Sequence, residues 1–124
     1  MGDGNVIREK SKAFAIRIVR FAKYLRDEKG ERVLAKQILR CGTSIGANIF
    51  ESRNAQSKED FVHKLSIALK EADETAYWLE VFYGAEIIEQ NIYKSLYSDL
   101  NELISLLVSI IKSSKSNILE EKSK

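Results

Sequence analysis

Apolar residues recur along this chain at helical spacing in four successive stretches, separated by short polar breaks. In the first, Ile7, Phe14, Ile18, Phe21 and Leu25 follow at steps of seven, four, three and four, which makes one stripe along a helix. Ala15 and Ala22 widen it, and the pattern predicts a helix from about Asn5 to Lys29. Gly30 follows as a C-terminal cap candidate. The second helix is expected from about Glu31 to Asn54. Leu34, Ile38, Cys41 and Ile45 form one of its stripes, and Leu39, Gly42, Gly46 and Ile49 form its neighbour. Such a wide apolar arc belongs to a deeply packed helix.

After the link Asn54-Ala55-Gln56, Ser57 is the next N-cap, with Glu59 and Asp60 suited to the positive helix end. The third helix is expected over about Lys58 to Tyr83. Phe61, Leu65, Ala68, Ala72, Thr75, Leu79 and Phe82 keep a strict four-three spacing there. Gly84 opens a longer link, and a fourth helix is expected from about Asn91 to Ser114. Leu96, Leu100, Leu103, Leu107 and Ile110 form its stripe, with Ile104, Val108 and Ile111 beside them. Met1 to Gly4 and Ser116 to Lys124 are expected to fray as polar ends of a single domain. No strand pattern occurs. Four long helices with short links predict an all-α, antiparallel up-down-up-down bundle.

One stretch breaks the helical rule. Arg40 to Glu51 lies mid-helix yet holds Gly42 and Gly46, and each helical glycine costs about 1 kcal/mol against alanine. Close approach of another backbone along the side they share would offset that cost. Arg40, Ser44, Asn48 and Glu51 form a polar ladder on a second face. Glu71, Glu74 and Thr75 of the third helix are its candidate partners in a buried network that fixes register. Contact with a ligand at a bundle end is the functional alternative. Trp78 beside Tyr77 reads as a core-edge or interface aromatic.

Composition changes this picture little. There is no proline, which agrees with unbroken helices. No apolar run approaches the roughly 18 residues of a membrane span, so no membrane partner is expected. Cys41 is the only cysteine, so no internal disulfide can form and a reduced cytoplasm is the default location. The net charge is only +2, but its distribution is uneven. Residues 5–29 carry eight basic and three acidic groups, a net of +5, while residues 57–83 carry three and six, a net of −3.

Candidate chemistry is sparse. A di-iron bundle site needs two Glu-x-x-His motifs, and His63 is the only histidine. Glu71-x-x-Glu74 has the spacing without the ligand. Cys41 sits on an apolar stripe and reads as structural, and no phosphate-loop pattern occurs. No catalytic residue, metal or cofactor is therefore expected, and the chain reads as a non-enzyme. Lys10, Lys12, Arg17, Arg20 and Lys23 on the first helix are the candidate nucleic-acid contacts, against the alternative of a solvated helix face. Ile16 and Val19 among them read either as scattered surface apolars or as a subunit contact.

The sequence Arg40-x-x-x-Ser44-Ile45-x-x-Asn48-Ile49-x-Glu51, then Phe61-x-x-x-Leu65-x-Ile67-Ala68, then Glu71-x-x-x-Thr75-x-x-Trp78-Leu79 resembles the four-helix-bundle proteins encoded within intervening sequences of bacterial 23S ribosomal RNA genes. The resemblance extends over about residues 8 to 115. It departs at Ser52, where a glycine commonly follows the motif glutamate. It implies a bundle assembled as a ring-shaped homopentamer. It also implies kinship with the accessory variability protein of diversity-generating retroelements, which binds nucleic acid and a partner reverse transcriptase. No catalytic residue carries over, and Arg40, Ser44, Asn48 and Glu51 are implied structural or interface positions. Two functions follow as expectations: a nucleic-acid-binding oligomer that serves a reverse transcriptase or RNA, or a structural, protein-interaction ring.

Overall fold

The computed structural model describes residues 3–124 and folds as an all-α four-helix bundle. The helices are α1 (Asp3–Asp27), α2 (Arg32–Ser52), α3 (Lys58–Gly84) and α4 (Gln90–Ser123). Each helix packs on the one before it, and α4 closes the ring against α1 through a far sparser seam. Short links make every neighbouring pair antiparallel.

Local chemistry sets the ends. Gly30 takes φ +69°, a left-handed conformation that lets the chain reverse, and the Glu31 N–H reaches back to the Leu25 carbonyl at 2.8 Å. Ser57 caps α3, its Oγ accepting from the Asp60 N–H at 3.0 Å. The Asp60 carboxylate accepts in return from the Gln56 N–H at 3.1 Å.

The ends depart from the sequence expectation. Asp3 and Gly4, expected to fray, lie in α1; Met1 and Gly2 lie outside the described residues. The polar tail Ser116 to Lys124 is helical through Ser123. Lys58 pairs with Glu121, and Lys122 with Glu59 at 3.7 Å, so the tail of α4 lies along the start of α3. Ile118 packs against the core edge.

The core is the set of four stripes turned inward, with Ile18, Leu25, Ile38, Ile45, Leu65, Leu79, Phe82, Leu100, Leu103 and Leu107 wholly buried. Ile88, from the α3–α4 link, is buried with them. Leu39 and Val108, placed on stripes by spacing, are exposed instead. They lie at the edges of arcs wider than the interior they face.

Candidate functional site

The glycines of α2 face α1. An added Cβ at Gly42 would stand 2.8 Å from the side chain of buried Ile18, and one at Gly46 would stand 3.3 Å from the Ser11 carbonyl oxygen. Here α1 and α2 approach too closely for larger residues.

The polar ladder does not form a buried network. Arg40 does reach α3, pairing with Glu71 at 3.4 Å and with Glu74, but its side chain is 51% exposed. Burial alone would lower the Arg40 pKa; the two carboxylates outweigh it and hold the guanidinium above its ordinary value. Trp78 Nε1 donates to the same Glu74 at 3.2 Å, and its ring stacks on Phe82. Ser44 and Asn48 turn back on their own helix. The Ser44 hydroxyl donates to the Arg40 carbonyl at 2.6 Å, and the Asn48 amide to the Ser44 carbonyl at 2.8 Å. Thr75 does the same towards Glu71 at 2.8 Å. Short polar side chains in a helix find the carbonyl one turn back before they find a neighbour. Glu51 pairs with Lys64 at 3.3 Å.

The five basic residues of α1 are not brought together. Lys10 pairs with Glu102 at 3.1 Å. Arg17 bonds Asp99 at 2.6 Å and the Ser95 hydroxyl at 2.9 Å. Both therefore bridge the sparse α1–α4 seam. Lys12 and Lys23 lie on the other side, along the groove between α1 and α2. Arg20 is exposed on the flank between, by the helical spacing of 100° per residue.

That groove is the most distinctive surface feature. Its floor is small and apolar, with Ala15, Val19 and Ala22 from α1 against Leu39, Gly46 and Ala47 from α2. Two hollows lie along it, of about 310 and 470 Å³. Arg8, Lys12 and Arg53 line the first, and Lys23, Arg26, Arg32 and Lys36 the second. Glu9 is the one acidic lining residue among those described. Lys12, Lys23, Arg32 and Lys36 have no carboxylate within ion-pair distance among the described residues, whereas Arg26 bonds Asp27 at 2.7 Å. The sequence reading missed the α2 share of this surface. Arg32, Lys36, Leu39, Thr43, Ala47 and Phe50 do recur at steps of four, three, four, four and three. That signal was available, but only the pairing of α1 with α2 gives it meaning.

Cys41 is buried, and burial pushes its thiol above the ordinary range. No cluster of three or more potential metal ligands occurs among the described residues. No described helix is long and apolar enough to cross a membrane.

Comparison with known proteins places this geometry. The family described as 23S rRNA-intervening sequence protein matches residues 4–109. The fold is similar to the 1.70 Å crystal structure of a protein with unknown function from the S23 ribosomal protein family, from Bacteroides thetaiotaomicron. The TM-score is 0.87 at 54% identity, covering 89% of this chain and 98% of that one. No curated protein matches.

Proposed function

The chain belongs to the 23S rRNA-intervening sequence protein family, and within it we propose a non-enzymatic, homo-oligomeric bundle that binds the phosphate backbone of RNA or DNA along the α1–α2 groove. One observation carries the reading: seven cations line a groove whose one acidic lining residue among those described is Glu9, and of the seven Arg26 alone is paired, with Asp27 on its own helix. From Arg8 to Arg26 the groove runs about 27 Å at 1.5 Å per residue. Several phosphates can be met at once over that length. Repetition of the groove around an oligomer adds avidity to contacts that are individually weak. Binding of this kind is largely independent of sequence and strongly dependent on salt, because it releases counterions.

The test is a titration of single- and double-stranded RNA and DNA at low and moderate salt. Wild-type protein is expected to bind at low salt, with affinity falling steeply as salt rises. A triple change, Lys12→Gln, Lys23→Gln and Lys36→Gln, should flatten the salt slope by roughly two to three, near one per phosphate contact removed. All three side chains are exposed, so the fold should be unaffected. Absence of binding even at low salt overturns the reading and leaves the protein-interaction ring in its place.

A further inference from the structure

The end of the groove where α1 begins and α2 finishes carries the one aromatic ring among its described lining residues. Phe50 stands on its rim, 60% exposed. The Arg53 guanidinium lies over the Phe50 ring, 3.7 Å from its centroid. Arg53 is held there by its Nε–H, which donates to the Phe50 carbonyl at 2.9 Å. Across the hollow of about 310 Å³ stand Arg8 and Lys12 of α1. A single exposed phenylalanine is ordinary on a protein surface. One set among three cations, beside an open hollow with a floor of Gly46 and Ala47, is a different object.

We infer that this hollow takes an unpaired base from a single strand. The base stacks on the Phe50–Arg53 pair, and its flanking phosphates meet Lys12 and Arg8. The inference rests on the backbone-binding reading above and deepens it from nucleic acid in general to single strands. The chemistry is specific to unpaired bases. Stacking on an aromatic or guanidinium plane needs a free base face, which a duplex keeps inside its own stack. Glu9, also at the hollow, is an acceptor suited to a base N–H and unsuited to a phosphate. No α1 residue supplies an aromatic ring to the groove, so the site exists only through the packing of α1 on the end of α2.

The experiment uses the full chain and labelled oligonucleotides of one sequence in three forms: single-stranded, duplex, and single-stranded with abasic sites. Wild-type protein is expected to favour the single strand over the duplex. Phe50→Ala should weaken single-strand binding about ten-fold and leave the duplex unchanged. Abasic sites should cost the wild type a similar factor and cost Phe50→Ala nothing further. Phe50→Tyr, which keeps the ring, should bind as the wild type does. Equal single-strand affinity for wild type and Phe50→Ala overturns the inference while backbone binding stands. Loss of all binding at low salt in the wild type overturns both. A change in light-scattering mass for Phe50→Ala assigns the ring to a contact between copies and overturns the inference as well.

Discussion

Single residues set how closely this bundle packs. Gly42 is the tightest point, because a Cβ there would press on Ile18, which is β-branched, wholly buried and has no room to turn. Alanine is the better helix former by about 1 kcal/mol, yet overpacking of this kind costs about 1–3 kcal/mol. Gly42→Ala should therefore destabilise on balance. Gly46→Ala should do so less, since the Ser11 backbone need give by only a few tenths of an ångström. Gly84→Ala, with nothing within 4 Å, should be neutral or up to about 1 kcal/mol stabilising. Urea titrations that fail to rank the three this way would remove close packing as the reason for glycine at 42. Tyr97 offers a second residue-scale test. Its hydroxyl donates to Glu80 at 2.7 Å, and that bond, with partial burial, pushes the phenol up to about 12. The raised value favours the neutral phenol in the folded state. Its contribution is fully present below the unfolded value near 10 and is lost as pH rises through about 12. The stability gap between wild type and Tyr97→Phe should thus be constant at neutral pH and shrink above about pH 10. A gap unchanged up to pH 12 would mean the bond to Glu80 is not holding the proton.

At the scale of elements, helical periodicity located all four helices and most of the buried stripes. Leu65, Ala68, Ala72, Thr75, Leu79 and Phe82 face inward as their spacing requires, because a four-three repeat has only one way to bury its apolar side. What periodicity did not carry was the last third of α4. Residues from Lys112 onward are polar apart from Ile118 and Leu119, too few for a stripe, and their helix is supported by Ile118 at the core edge and by pairs with Lys58 and Glu59. Such support depends on where α3 begins in space, which spacing within α4 cannot reveal. The basic face was half legible for the same reason. Charge marked α1, but Lys10 and Arg17 turned to α4, and the cations that complete the groove sit on α2. Cutting the chain after Ser114 should cost about 1–3 kcal/mol: roughly 1 for partial burial of Ile118, and the rest from two exposed pairs worth about 0–1 each. Circular dichroism should show the matching loss of helix. A truncated chain as stable as the full one would show that the extension of α4 contributes no packing.

The whole molecule is electrically two-sided. Residues 1–53 hold twelve basic and six acidic groups, a net of +6, and residues 54–124 hold eight and twelve, a net of −4. Because α1 and α2 form one side of the bundle and α3 and α4 the other, this split in sequence becomes a split in space. Both sides also expose apolar residues outside the two hollows: Ile16, at 45%, among Lys12, Arg20 and Lys23 on α1, and Tyr77, at 59%, between Asp73 and Glu80 on α3. Two copies meeting through like faces would oppose like charges. Two copies meeting through unlike faces would pair opposite charges around apolar contacts, and a head-to-tail contact of that kind gives a ring where the rotation between copies closes and a filament where it does not. Ile16 lines neither hollow of the α1–α2 groove, though it shares its face of α1 with Lys12 and Lys23 as well as with Arg20. The expected result is a light-scattering mass several times 14.1 kDa at micromolar concentration. Ile16→Glu, which sets a carboxylate against the acidic side of the next copy, should lower that mass to the monomer without loss of helix. Nucleic-acid binding by this variant should weaken through lost avidity while keeping the salt slope of a single groove. A wild-type mass of 14.1 kDa would end the ring. An oligomer indifferent to Ile16→Glu would move the contact to another face.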